Sequence, residues 1–445
     1  MSLGETAVPL SREDARILEL ESGPIRGHTL KILVVEGPED PSGRALRAAI
    51  AQRLPDVPRW RQRLVPAPGT PTGLAWQDDP EFDVERHVRV ASTGRRIGEK
   101  ELRQLVAATM VEQLDRTRPL WSLDVLPGLE DGRWALVWKV HHCLADGVTI
   151  LRVGSRLLWT EEPAEQIPRT RDGARSDDAA APGTPARLAA GLRLARVAGH
   201  RGLLPREFRR VGELSPLAGE VGPHRAVGFA SCTLDELRSI GRASTPHATV
   251  NDVLLAVVAG ALRRWLDDRQ ASGTSMKVQV PVSMHPGPGA DDPAGNRDSF
   301  LFVNLPLAED DPVARLHALA EATRLRKNRH DAEAIYALRK SLVHAPKLVR
   351  RGLQHLVQGP HEYSLNVSNV PGPAHPIHVV GRRVEALYSI AEVAPHHALR
   401  VAAVSLAGSM YIGLCADPDI VPDLDRLTAK IRWSLDELRQ RLVSP

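Results

Sequence analysis

Between Arg133 and His142 the chain alternates. Trp134, Leu136, Trp138, Val140 and His142 fall on one side, and Ala135, Val137, Lys139 and His141 on the other. A period of two predicts a strand and sends the adjacent histidines in opposite directions. His28–Glu36 is a second such strand, apolar on both faces and so expected to be covered on both. Ser122–Leu126 leads to Asp131-Gly132, a turn into Arg133–His142. Further strands are predicted at His87–Val90, Arg225–Leu234, Lys277–Met284, Ser299–Leu305 and Tyr363–Val370. A hairpin is predicted over Ala398–Ala416 around Ala407-Gly408.

Helical spacing governs Arg12–Glu19, Pro41–Leu54, Glu99–Asp115, Val148–Trp159, Pro312–Asn328 and Leu424–Leu442. In Glu99–Asp115 the inward residues are expected to be Leu102, Leu105, Val106 and Leu114. The strongest pattern is Thr249–Trp265, where Thr249 and Asp252 stand at capping-box spacing. Between the two halves the character changes. Residues 161–186 are rich in Arg, Ala, Pro, Gly and Asp and read as a solvated linker, and 187–212 form a basic helical segment. Ala337–Val357 is a second basic amphipathic stretch. The expected organisation is an N-terminal domain over 1–160, a linker and basic segment over 161–222, and a C-terminal domain over 223–445.

Composition narrows the class. With 42% hydrophobic and 25% charged residues the chain is globular, and with 4% aromatics its cores must rest on Leu, Val and Ala. A length of 445 residues is too much for one core. A net charge of +4 is mild for a nucleic-acid binder and suits a phosphate-bearing ligand or an anionic membrane surface. Cys143, Cys232 and Cys415 show no pairing or metal spacing, which fits reduced thiols in a cytosolic protein. Neither a signal peptide nor an apolar run of about 18 residues is seen, so no membrane span is expected. GxSxG, P-loop and HExxH patterns are missing, which leaves serine hydrolase, NTPase and zincin chemistry without support.

The chemistry is concentrated in His141-His142-Cys143-Leu144-Ala145-Asp146-Gly147. A histidine at a strand end projects into whatever cleft lies beyond, and neutral imidazole accepts a proton near pH 7. Asp146 can hold the loop or orient an imidazole, and Gly147 permits a φ that other residues resist. The alternation puts the catalytic expectation on His142, with His141, Asp146 and Gly147 holding the turn. Cys143 beside it invites a thiolate reading, but a continuing strand would point it away. His396-His397 has no following Asp-Gly and reads as structural.

This HHxxxDG stretch resembles the signature of the condensation-domain and chloramphenicol-acetyltransferase-like superfamily. Within it the chain resembles the bacterial wax ester synthase/diacylglycerol acyltransferase family. The supporting segments are Pro119-Leu120-Trp121, Asn251-Asp252, Gly295-Asn296 and Ser368-Asn369-Val370-Pro371-Gly372-Pro373. The resemblance implies an α+β fold of two chloramphenicol-acetyltransferase-like domains, a V-shaped pseudo-dimer with a tunnel at the interface. It implies His142 at the tunnel's middle, an acyl-CoA donor and a hydrophobic alcohol acceptor. The reaction it implies is direct transfer to diacylglycerol or a long-chain alcohol, giving triacylglycerol or wax ester. No cofactor and no metal are expected beyond acyl-CoA as co-substrate.

Asn251, Asp252, Asn296, Ser368 and Asn369 are the expected substrate-binding residues, although capping and turn chemistry explain Asp252 and the Pro-Gly-Pro stop equally well. Pro119-Leu120-Trp121 is expected to pack. Two other readings compete: a superfamily relative acting on a polyketide hydroxyl or an amine, and an inert lipid-binding protein. The basic segment 187–212 reads either as a surface helix covering a domain junction or, with 337–357, as a contact of a cytoplasmic protein with a membrane or lipid droplet. No nucleic-acid partner is expected.

Overall fold

In the computed structural model, the described residues are 7–37, 43–91, 95–162, 215–271, 276–285, 296–342 and 362–443. The stretch 187–212 and all of the expected linker past 162 lie outside them, and of 337–357 only 337–342 is described, as the end of the helix Asp331–Leu342. The first half carries strands β1 (Val8–Pro9), β2 (His28–Val35), β3 (Gln62–Pro66), β4 (Leu74–Asp78), β5 (Val88–Val90), β6 (Trp121–Leu126), β7 (Trp134–His141) and β8 (Thr160–Glu161). The second carries β9 (Ala226–Thr233), β10 (Met276–Ser283), β11 (Asp298–Leu305), β12 (Leu365–Val370), β13 (Ile377–Val379), β14 (Arg382–Ala391), β15 (Leu399–Leu406) and β16 (Ser409–Ala416).

These form a seven-stranded sheet in the order β5-β6-β7-β2-β14-β13-β8 and a six-stranded sheet in the order β11-β10-β12-β15-β16-β9, with β1-β4-β3 as a small third sheet. Two mixed sheets with helices make an α+β protein of the expected class. The seven-stranded sheet is not made by the first half alone. β14 pairs antiparallel with β2 from Val384↔Val35 to Ala391↔Thr29, and β13 joins β14 to β8. Residues 377–391, expected in the C-terminal domain, thus complete the N-terminal sheet. At Gly413 the two sheets meet so closely that a Cβ would lie 2.2 Å from the Ser389 carbonyl oxygen of β14.

The alternation in β7 is realised as two separate cores. Trp134, Leu136, Trp138 and Val140 pack with Leu46, Ile50 and Ile150 on one face, while Ala135 and Val137 pack with Leu102, Val106 and Met110 on the other. Pro119-Leu120-Trp121 does pack: Leu120 and Trp121 are buried, and Trp121 Nε1 donates to the Trp60 carbonyl at 2.8 Å.

The second sheet is covered by the helix Val250–Asp267, buried on nearly every side, and by the helix Leu424–Leu442. Thr249 and Asp252 form the expected capping box. The tight hairpin of β15 and β16 turns at Ala407 (φ 46°) and Gly408 (φ 85°).

Several boundaries and faces shift. The helix expected to 115 runs Glu99–Val111, and Leu105 is exposed, because the stripe facing the sheet is Leu102, Val106 and Met110. Val84–His87 is a helical turn capped by Asp83, so only Val88–Val90 of the expected strand remains. The helix expected from Pro41 is seen over Arg44–Arg53. Among the described residues no helix is long and apolar enough to cross a membrane.

Candidate functional site

The strand β7 ends at His141, and the backbone then turns: His142 N donates to the Gly27 carbonyl at 2.8 Å and Leu144 N to the His141 carbonyl at 2.9 Å. Alternation therefore stops at His141, whereas the sequence pattern carried it through His142 and used it to orient His142 and Cys143. His142 lines a cavity of about 310 Å³. Its walls come from both halves, including Ile17, Ile25 and His28 on one side and Phe300, Tyr363 and Leu399 on the other.

The His142 ring is oriented from across the junction. Its Nδ1 lies 3.0 Å from Asn296 Oδ1, and Asn296 Nδ2 donates to the His142 carbonyl at 2.8 Å. An amide oxygen only accepts, so Nδ1 carries the proton and Nε2 keeps the lone pair. Burial first, and then the Arg400 guanidinium, push the His142 pKa down to about 4. The imidazole is neutral at pH 7, the form a general base needs. Arg400 lines the same cavity from β15 and donates through Nη1 to the Glu392 carbonyl at 3.1 Å. Its buried Nε has no hydrogen-bond partner among the described residues. Sequence reasoning missed it; the signal on offer was a single Arg within an otherwise apolar strand.

The remaining signature residues hold the turn. Cys143 N donates to His141 Nδ1 at 3.1 Å, and His141 Nε2 lies 2.7 Å from Glu21 Oε1, so both ring nitrogens are occupied. Asp146 caps the helix Gly147–Leu157, accepting from Thr149 N at 2.8 Å. Its other oxygen, Oδ2, sits 2.5 Å from His285 Nε2 and 3.2 Å from Arg297 N, both from the second half. Burial opposes ionisation there, but the bonds from His285 and Thr149 prevail and hold this carboxyl below its ordinary range.

Gly147 does not use the left-handed conformation expected of it. The requirement is space: a Cβ would stand 3.3 Å from Val370 Cγ2, at the end of β12. Cys143 is buried in the N-terminal core, and burial pushes its thiol well up.

The other expected residues separate. Asn296 is at the site. Asp252 accepts from Thr249 N and Oγ1 and, through Oδ1, from Thr323 Oγ1 at 2.5 Å, so it joins two helices. Asn251 sits beside it in the first helical turn. Ser368 and Asn369 lie in β12, where Ser368 Oγ reaches the Val401 carbonyl at 3.4 Å. None of these four is among the residues lining the cavity around His142. Conversely, His397, read as structural, lines that cavity and stacks on Tyr363 with ring centroids 3.7 Å apart. Among the described residues no group of three or more His, Cys, Asp or Glu could hold a metal ion.

The cavity between the two mixed sheets thus holds a buried, neutral histidine just past the end of β7. Residues 10–254 match the family model for the wax ester synthase/diacylglycerol acyltransferase catalytic domain, and 294–439 that for the WS/DGAT C-terminal domain. The chain belongs to this family of O-acyltransferases.

Among its relatives, the probable diacylglycerol O-acyltransferase tgs1 of Mycobacterium tuberculosis strain ATCC 25618 / H37Rv is 31% identical over 430 residues, 92% of this chain and 90% of that protein. The probable diacylglycerol O-acyltransferase tgs2 of the same strain is 31% identical over 404 residues, 86% of this chain and 87% of that one. The wax ester synthase/diacylglycerol acyltransferase from Marinobacter aquaeolei VT8 shares the fold with a TM-score of 0.70 at 24% identity, covering 98% of this chain and 99% of its own. The starter condensation domain of rhizomide synthetase RzmA, solved as a point mutant in complex with C8-CoA, has a TM-score of 0.62 at 15% identity, covering 97% and 95%.

Proposed function

We propose that this enzyme transfers a long-chain acyl group from acyl-CoA to the hydroxyl of diacylglycerol or a long-chain alcohol, with His142 as general base. The observation that carries the reading is the Nδ1 contact to Asn296 Oδ1, which leaves the Nε2 lone pair for substrate. The acceptor oxygen attacks the thioester carbonyl carbon as its proton passes to Nε2. The C–S bond then breaks, and the departing thiolate takes the proton back from the imidazolium. No acyl-enzyme forms, which agrees with the burial of Cys143. The charge growing on the carbonyl oxygen needs a donor, and we assign it to Arg400, whose buried Nε has no partner among the described residues.

The names of the relatives favour diacylglycerol as acceptor, and an acyl-CoA-bound protein of the same fold favours a CoA thioester as donor. The test is thiol release from long-chain acyl-CoA with and without diacylglycerol or fatty alcohol. Release that depends on the acceptor supports the transfer, and no such release overturns it. Substrates this apolar are delivered from a lipid surface, and the basic stretches 187–212 and 337–357 would dock there. Sedimentation with anionic liposomes that is lost at high salt supports docking; no sedimentation at either salt overturns it.

A further inference from the structure

Asp14 lies in the first turn of the helix Arg12–Leu20, is 4% exposed and has no place in the signature or its supporting segments. Its Oδ1 accepts from Asn296 Nδ2 at 2.6 Å and from Asn296 N at 3.2 Å. Its Oδ2 accepts from Ser11 Oγ at 2.7 Å. One carboxylate thus holds both the backbone and the side chain of the residue that orients His142. Asn296 lies two residues before β11, outside any regular element.

We propose that Asp14 is a positioning residue: by holding the Asn296 amide it sets the tautomer of His142. The Asn296 amide has two N–H groups, one given to the His142 carbonyl and one to Asp14. Turned over, the amide would aim its oxygen at both of these acceptors and its NH₂ at Nδ1. His142 would then have to accept at Nδ1 and carry its proton on Nε2, where it could take none from a hydroxyl. Without Asp14, this reversal is resisted by the His142 carbonyl, through its bond from Asn296 Nδ2 and its contact with the His142 ring. Asp14 adds a charge-assisted hydrogen bond and pins the backbone as well. The relay Asp14–Asn296–His142 joins the N-terminal helix, the second half and the end of β7 through three side chains.

The inference rests on His142 acting as base, and its test separates the two. The full chain labelled with ¹⁵N-histidine reports the tautomer directly, with the His142 signal identified by its loss in His142→Ala. Wild type shows the Nδ1–H form. Asp14→Leu removes the acceptor and yields mixed tautomers. Its kcat falls roughly 10–100-fold, as for partners that orient metal-bound histidines, with KM for acyl-CoA unchanged. Asp14→Asn keeps an acceptor oxygen and retains the Nδ1–H form. Ser11→Ala removes the helix cap and one hydrogen bond to Asp14 Oδ2, but leaves Oδ1 on Asn296 and so retains the Nδ1–H form. An Asp14→Leu protein with a wild-type tautomer and kcat overturns the positioning role, whereas full turnover by His142→Ala overturns the base assignment.

Discussion

His285 Nε2 meets Asp146 Oδ2 at 2.5 Å, across the junction of the two halves and with both side chains buried. The contact fastens the HHxxxDG turn to the end of β10. Removing one partner of a buried pair leaves the other uncompensated, at a cost of about 3–5 kcal/mol. Asp146→Ala should therefore lower the melting temperature more than His142→Ala does, and it should lower activity without abolishing substrate binding. Differential scanning calorimetry and acyl-CoA titration check this together.

The same carboxyl sets a pH dependence. Its folded pKa is depressed, so the stability it supplies is present above the ordinary aspartate value and is lost as pH falls through the folded one. His142 at about 4 and His28 at about 3 act in the same sense and earlier, since both resist protonation when folded. Their contribution begins to be lost as pH drops below about 6.5, the ordinary histidine value. Melting temperature should fall steadily from about pH 6.5 to about pH 4, and His28→Gln should flatten that slope. A flat profile in the wild type rules the linkage out.

Arg400 has two separable effects. Replacing it with Gln removes the positive neighbour that helps depress His142, so the acidic limb of kcat/KM should move up from near pH 4 toward the ordinary histidine range. Loss of an oxyanion donor should also cut kcat by roughly 10²–10³ at the plateau. A pH–rate series on Arg400→Gln and Arg400→Lys reads both. Lys should preserve the limb better than the plateau, because it keeps the charge but not the fork.

Gly147 and Val370 form a contact that can be tested as a pair. Gly147→Val would overfill the space against β12 and cost about 1–3 kcal/mol. Adding Val370→Ala should recover part of that loss, and additive effects in the double-mutant cycle would deny the contact.

Cys143→Ala should keep most of its turnover, and thiol reagents should leave Cys143 of the folded enzyme unmodified. An inactive Cys143→Ala protein with normal melting would restore the nucleophile reading that the burial argues against.

The sequence carried the parts of the site that are local. Alternation in β7 separated the two cores, capping spacing marked the helix Val250–Asp267, and the signature marked His142. What stayed hidden depends on distant partners. Asp14, His285 and Arg400 gain their meaning only when helix, loop and strand arrive beside His142 or Asp146, and no spacing rule links positions 14, 142 and 296. Arg382–Ala391 was missed because its first residues are charged and its pairing partner β2 begins 354 residues earlier, at His28. Asp252 was ambiguous, since a capping aspartate and a binding aspartate look alike in sequence; in the structure its second oxygen accepts from Thr323.

The insertion of β14 beside β2 also fixes an order of events in the cell. Synthesis must pass residue 391 before the last pair of that ladder, Ala391↔Thr29, can close. Until then β2 presents an open hydrogen-bonding edge flanked by Leu30, Ile32 and Leu33, a template for pairing with another nascent chain. Truncated products ending before residue 382 should collect in inclusion bodies or on chaperones, and the N-terminal half should gain solubility when residues 377–391 are fused to it.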